Sequence, residues 1–161
     1  MGLHPSGKVR FIKCRRALHK ALLCCLPLGL AACSGSAPSH LGVRDGRLAP
    51  CPDSPNCVCS QASDARHAIA PLALAGSAEA SRARLLEILA SEPRVRVVEQ
   101  QERYLRAEFT SLVFRFVDDV EFLIGERQID VRSASRLGHS DFGVNRKRIE
   151  HLRRRMSAGV R

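Results

Sequence analysis

The densest run of chemically capable side chains is RSASRLGHSDFGVNRKR, from Arg132 to Arg148. Arg132 and Arg136 offer planar guanidinium forks that suit a carboxylate or a phosphate. Ser133, Ser135 and His139 can add hydrogen bonds to such an anion if the strand carrying them ends early and turns them toward it. Upstream, Asp119 and Glu121 stand two residues apart, and Asp141 follows the arginines. Paired carboxylates can hydrolyse a bond when their environments separate their pKa values, but the pair alone fixes no reaction. His139 with Ser135 or Ser140 and an aspartate has the composition of a hydrolase triad, without the G-x-S-x-G elbow that would present a nucleophile. G-x-G-x-x-G and Walker patterns are absent, which leaves Gly138 and Gly143 to turn geometry. Asp119, Glu121, Arg132, Ser133, Ser135, Arg136, His139 and Asp141 are therefore read as a ligand-binding set. No residue is assigned a catalytic role, and no metal or cofactor is expected.

The elements that must position these residues announce themselves by alternation. Val95 and Val97, then Leu105, Ala107 and Phe109, then Leu112, Phe114 and Phe116, then Val120, Phe122 and Ile124, then Ile129 and Val131 each alternate with polar or charged neighbours. That period of two predicts an antiparallel sheet of about four to five strands with one buried face. A helix is predicted over Ala78–Ala90, with Leu85, Leu86 and Leu89 on one side and Pro93 ending it. A last helix is predicted from Phe142 to Met156, with Phe142, Ile149, Leu152 and Met156 as its apolar stripe and Ser140 or Asp141 as its cap. Helices over one face of the sheet make an α+β domain.

Alternation puts Asp119, Glu121, Arg132 and Arg136 on the face away from the helices, and Ser133 and Ser135 on the core side. A type II′ turn with Gly125 and Glu126 at its centre would set Asp119 opposite Arg132, and glycine at the first central position favours it. A turn centred on Glu126 and Arg127 would set Glu121 there instead. On a wet face each such pair contributes about 0.2–1 kcal/mol. Arg146, Lys147, Arg148, Arg153, Arg154 and Arg155 give the last helix a basic face, read as solvated.

The N-terminal part has a different character. Lys8, Arg10, Lys13, Arg15, Arg16 and Lys20 form a basic segment without an acidic residue, followed by the apolar run ALLCCLPLGLAA, Ala21 to Ala32. The run is too short to span a bilayer, which takes about 20 residues, and has the length of a secretory leader's apolar region. LAAC, Leu30 to Cys33, resembles a bacterial lipobox. The expected organisation is a lipoprotein signal peptide over 1–32, a tether rich in Gly, Ser, Pro and Ala over 33–49, a single domain over 50–157 and a tail over 158–161. Cys33 would carry the lipid. Removing the leader takes six positive charges with it, so the formal net charge falls from +10 to +4. Most of the apparent nucleic-acid signal therefore belongs to the leader, and no nucleic-acid partner is expected.

Of seven cysteines, only Cys51, Cys57 and Cys59 fall in the expected domain. An envelope location permits disulfides. Cys51 and Cys57 would close a ring of seven residues, worth about 2 kcal/mol by loop entropy. Cys59 is then the odd thiol, free or pairing with Cys51 in place of Cys57 or with another chain. A three-thiol metal site would need a fourth ligand from His67, His139 or Asp53.

CPDSPNCVCSQ from Cys51, HAIAPL from His67, TSLVFRFVDDVEFL from Thr110 and IDVRSASRLGHSDFGVNRKRIEHLR from Ile129 together resemble the DUF1499 family, over about residues 48–155. The resemblance implies no known reaction, cofactor or catalytic set. It marks Cys51, Cys57, Asp118, Asp119, Glu121, Arg132, Ser133, Ser135, Arg136, Ser140, Asp141, Gly143 and Asn145 as family-like positions. The family pattern more often has serine at Cys59, which implies Cys51–Cys57 as the natural pair. The expectation is a non-enzymatic lipoprotein of the bacterial cell envelope, anchored in the outer membrane and facing the periplasm. Its partners would be membrane lipid through Cys33 and a small anionic ligand, lipid headgroup or envelope protein. The rivals are a hydrolase using carboxylates and His139, and a purely structural envelope protein.

Overall fold

The structure is a computed structural model that describes residues 35–158; the expected leader and Cys33 lie outside them. Ten elements follow one another: β1 (Val43–Arg44), β2 (Arg47–Leu48), β3 (Cys57–Cys59), β4 (Leu72–Ala73), α1 (Ala78–Ser91), β5 (Val95–Gln100), β6 (Tyr104–Thr110), β7 (Val117–Ile124), β8 (Gln128–Ser135) and α2 (Val144–Ser157). The sheet is antiparallel, in the order β3-β8-β7-β6-β5. The short β4 pairs with β8 at Ile129 and Gln128, below the stretch where β3 pairs with Arg132 to Ala134. Both helices lie against one face, so the domain is α+β with a multi-stranded antiparallel sheet.

The helices form for local reasons. Ser77 caps α1, accepting from the Ala80 amide at 3.1 Å, and Glu79 sits in the first turn where the helix dipole favours it. Leu85, Ile88 and Leu89 are its buried face, and the chain turns extended at Glu92, just before Pro93. These leucines meet Leu105, Phe122, Ile129 and Val131 from the sheet and Ile149, Leu152 and Met156 from α2 in one apolar cluster.

The start of α2 departs from the sequence reading. Phe142 is 88% exposed and is not part of the stripe. The buried stripe is Asn145, Ile149, Leu152 and Met156. The Asp141 carboxylate accepts from the amides of Gly143 and Asn145 at 3.0 and 2.7 Å. Phe142 (φ 53°) and Gly143 (φ 78°) are both left-handed, and this turn throws the phenylalanine outward. An amide thus stands where an aromatic was expected.

Two further expectations are corrected. Leu112, Phe114 and Phe116 do not continue a strand: they belong to an exposed loop at 111–116. The last β6–β7 pair is Thr110 with Val117, and the loop is closed on itself by Ser111, whose hydroxyl accepts from the Phe116 amide. The β7–β8 turn is centred on Glu126 and Arg127, so Glu121, not Asp119, faces Arg132. Gly125 donates its amide to Gln128 O at 2.9 Å. None of Gly125, Glu126 and Arg127 has a positive φ, which a type II′ turn would require. A Cβ at Gly125 would come within 3.1 Å of Gln128 O, so glycine serves close approach there.

The sheet also does not have only one buried face. β7 is buried at every residue but Leu123, because residues 35–50 lie over the face away from the helices. Leu48 is buried, and the Gly42 amide donates to Glu121 Oε1 at 2.8 Å. Of the six basic residues of α2, Lys147 and Arg154 are exposed as expected, but the other four are engaged. Arg146 donates to the carbonyls of Ala68 and Arg66, Arg153 to those of Pro71 and Ala70, and Arg155 to Glu92. Arg146 and Arg153 strap the helix to the 66–71 segment, and Arg155 ties it to the end of α1.

Phe122→Ala should lose about 3–5 kcal/mol as a cavity opens in the cluster, whereas Phe142→Ser should change stability by less than about 0.5 kcal/mol. Urea unfolding of the two variants checks this, and equal losses would place Phe142 in the core after all.

Candidate functional site

The face of the sheet away from the helices is a layer of ion pairs. Alternation on β7 turns Asp119 and Glu121 into it, and alternation on β8 turns Arg132 and, just beyond the strand, Arg136 into it. Glu121 is fully buried and Arg132 is 2% exposed. Arg132 Nη1 donates to Glu121 Oε2 at 3.1 Å, while Glu121 Oε1 accepts from the Tyr104 hydroxyl at 2.9 Å and from the Gly42 amide. Asp119 accepts two bonds from Arg136, at 2.7 Å from Nε and 2.9 Å from Nη2, and one from Arg106 at 3.3 Å. Arg136 reaches on to Glu108 and to the Gly35 carbonyl. Arg96 pairs with Glu108, and Arg106 with Glu99. Arg96, Arg106, Arg132 and Arg136 thus meet Glu99, Glu108, Asp119 and Glu121, and the layer is formally neutral.

A second polar knot lies on the helix side. Asn145 is fully buried. Its Nδ2 donates to Asn56 O, Ser135 Oγ and Asp141 Oδ2, and its Oδ1 accepts from Ser133 Oγ at 2.5 Å and Arg148 Nη1 at 2.6 Å. Arg148 also pairs with Asp118 at 2.5 Å and lies 4.8 Å over the Phe109 ring. The knot ties the end of β8 to the first turn of α2 and to the cysteine loop.

The eight residues read from the sequence therefore separate. Asp119, Glu121, Arg132 and Arg136 share the outer layer; Ser133, Ser135 and Asp141 join the inner knot; His139 is exposed and takes no part in either. Asp119 and Glu121 each hold guanidinium partners, so they are not two carboxylates sharing a proton. Sequence reading left out Gly42, Asn56, Tyr104, Arg106, Glu108 and Arg148, and marked Asp118 and Asn145 only as family-like positions. One signal was available for Asp118: it alternates with Val120 and Phe122, and a carboxylate on a core face demands a cation.

A cleft of about 400 Å³ opens beside the outer layer. Asp119, Arg132, Ser135 and Arg136 line it from the sheet, and Pro38, His40, Ser54 and Asn56 line it from above. A larger cleft of about 620 Å³, bordered by His40, Arg44, Arg47, Gln61 and Asp64, contains none of the eight residues. Cys51 and Cys57 form a disulfide with Cα atoms 5.7 Å apart, and Cys59 is buried with no disulfide partner among the described residues. Burial raises the Cys59 thiol's pKa, which makes it a poor nucleophile. Among the described residues no group of three or more His, Cys, Asp and Glu could hold a metal ion, and no helix is long and apolar enough to cross a membrane.

Fold and charged layers define a class: a two-layer α+β domain whose central strands carry compensated charges on both faces. The chain belongs to the family described as protein of unknown function DUF1499, whose pattern it matches over residues 47–156. Comparisons with curated proteins and with solved structures find no match.

The Glu121–Arg132 pair sets a stability test. Glu121→Gln leaves Arg132 as an uncompensated buried cation and should lose about 3–5 kcal/mol, whereas the double variant Glu121→Leu with Arg132→Met should recover most of that loss. Chemical denaturation of the single and double variants decides it, and equal losses would mean the pair is not coupled.

The pH profile follows from four groups. Burial alone would raise the Glu108 carboxyl, but bonds from Arg136 and Arg96 outweigh it and hold it low. Burial is likewise outweighed at Glu92 by Arg155 and His151, and at Asp141 by the amides of Asn145 and Gly143. Burial, then the charge and hydrogen bond of Glu121, push the Tyr104 phenol well above its ordinary value. Lowered carboxylates add stability that is full above about pH 5 and drains away as pH falls through about 4 and below. A raised phenol adds stability that is full below about pH 10 and is lost above it, as the unfolded chain ionises first. Thermal unfolding from acid to alkali should show both limbs, and Tyr104→Phe should flatten the alkaline one.

Proposed function

We propose that this protein is a non-enzymatic lipoprotein of the bacterial cell envelope whose domain binds a small anionic ligand in the cleft beside the charged layer. The observation that carries the ligand reading is Arg132. It lines that cleft, and among the described residues only its Nη1 has a hydrogen-bond partner; Nε has none and is itself closed to solvent. Its one ion pair uses Nη1. A buried guanidinium with a donor unmatched by protein is suited to an acceptor from outside, and carboxylate and phosphate fit its fork. Arg136 beside it, and His40, Ser54 and Asn56 on the opposite wall, add polar groups. The lipoprotein part rests on the basic segment, the apolar run and LAAC, which ends at Cys33. On this reading the domain sits at the outer membrane, facing the periplasm.

Two measurements test the two parts separately. Mass spectrometry of the Cys33 peptide from membranes of the producing cell should show a diacylglyceryl group, and an unmodified cysteine ends the anchor reading. Calorimetric titration of the detergent-extracted full chain with phosphate and with short dicarboxylates should show saturable binding by at least one. Arg132→Lys keeps a cation against Glu121 but lacks the fork, and should weaken that binding by about tenfold, or about 1.4 kcal/mol. His40→Ala, an exposed change, should weaken it by about twofold to tenfold. No saturable binding by any of these anions would leave the layer a structural device.

A further inference from the structure

One end of the domain is built unlike the rest. Among the described residues, seven of the eight large apolar side chains that are exposed gather there: Leu112, Val113, Phe114, Phe116, Leu137, Phe142 and Val144. The topology brings them together. The 111–116 loop joins β6 to β7, and the Arg136 amide donates to Val117 O, so Leu137 follows directly beside that loop. Ser111 and Val144 border one shared hollow, which joins the start of α2 to the same end. Phe114 and Phe116 stack with ring centres 5.6 Å apart, forming an aromatic pair held toward solvent. Isolated exposed apolar residues are ordinary, but a gathered patch marks an interaction surface.

Three observations say what covers it. The rim is cationic: Arg94, Arg115 and Lys147 are exposed there, and none has an ion-pair partner among the described residues. The backbone at the patch is unusual: among the described residues, Arg94, Arg115 and Phe142 are three of the four non-glycine residues with positive φ, a conformation that disfavours bulky side chains. Finally, the described chain begins at this end. A Cβ on Gly35 would lie 3.3 Å from Arg136 Cβ and 3.4 Å from Leu137 Cγ. Cys33, the expected lipid site, is two residues earlier.

We propose that this apolar end docks on an anionic lipid surface, with Phe114 and Phe142 entering the boundary between headgroups and acyl chains and Arg94, Arg115 and Lys147 meeting the headgroup charge. Aromatic and aliphatic side chains gain from leaving water at that depth, and the cations gain from the negative surface potential. The diacylglyceryl group expected at Cys33 carries two acyl chains and suffices for attachment, so the apolar patch beside it sets the orientation of the domain on the bilayer. The proposal rests on the lipoprotein reading only for what brings the domain to the bilayer. It orients the molecule: the β7–β8 turn at Glu126–Arg127 points away from the lipid.

The chain has no tryptophan, which makes depth directly readable. Full-length F114W, F142W and, as a control at the far turn, R127W are reconstituted into equimolar phosphatidylethanolamine–phosphatidylglycerol vesicles. Blue-shifted emission and quenching by brominated lipid are expected for F114W and F142W, at least about threefold stronger than for R127W. Replacing the anionic lipid by phosphatidylcholine should reduce the quenching. Equal quenching at all three sites, or none at positions 114 and 142 in protein whose Cys33 is acylated, overturns the proposal. So does a blue shift that appears without lipid and grows with protein concentration, which would mean that a second copy covers the patch. Quenching confined to F114W and F142W in protein whose Cys33 is not acylated upholds the docking face and fails the anchor reading alone.

Discussion

Glu121 is a carboxylate at the centre of a sheet, covered on every side, and the surrounding structure is arranged to make that tolerable. Removing such a charge from water has an effective penalty of several kcal/mol, offset only by close and complete pairing. Arg132 across the strand supplies the charge, Tyr104 from the other neighbouring strand supplies a hydroxyl, and Gly42 from the covering segment supplies an amide. Three separate parts of the chain must be in place together. A neutral residue at position 121 would make no such demand on β6, β8 and residues 35–50. Ion pairs of this kind contribute little net stability over an apolar replacement, but they discriminate among registers. A two-residue slip of β7 against β8 that set Asp119 opposite Arg132 would put Glu121 opposite Asp130, two like charges.

Three carboxylates within four residues of β7 extend the constraint to both faces. Asp119 and Glu121 turn outward into the layer of arginines, while Asp118 turns inward to Arg148 of α2. The strand is therefore fixed against the covering segment by one set of charges and against the helix by another. Asn145 completes the inner set: its amide satisfies β8, the Asp141 turn and the cysteine loop at once. The disulfide closes that loop, which lays the Asn56 carbonyl in reach. Polar groups here position elements that apolar packing alone would leave free to slide.

Much of this was legible in the sequence, for identifiable reasons. The strands β5 to β8 and both helices follow from periodicity, because side-chain alternation is a local property of the backbone. Which charges share a face follows from the same parity, and Asp119, Glu121, Arg132 and Arg136 do share one. The burial of that face was not legible, since it depends on residues 35–50 folding back from far away in the chain. The register was misjudged because glycine was credited with a left-handed turn, whereas Gly125 is needed for room beside Gln128 O. Phe142 was misplaced because hydropathy favours an aromatic in an apolar stripe over an amide. Only the Asp141 turn, which fixes where α2 begins, reverses that choice. The 111–116 loop deceived for the opposite reason: it alternates like a strand but has no partner strand to pair with.

These errors share a pattern that bears on how the molecule meets its surroundings. Every aromatic that periodicity assigned wrongly to the interior stands at the same end of the sheet, with Leu137 and Val144. The charges that periodicity assigned to water are instead buried and matched in the layer at the middle of the sheet. Folding has thus exchanged the usual places of the two chemistries. Charge is placed inside, where geometry can pair it, and apolar surface is left outside at one pole. Burying those aromatics would have been the cheaper arrangement for an isolated domain, since each contributes about 1.5–3 kcal/mol when removed from water. Left-handed backbone at Arg94, Arg115 and Phe142 accompanies that exposure. The apolar surface so formed belongs to the end of the sheet where Gly35 packs against Arg136 and Leu137.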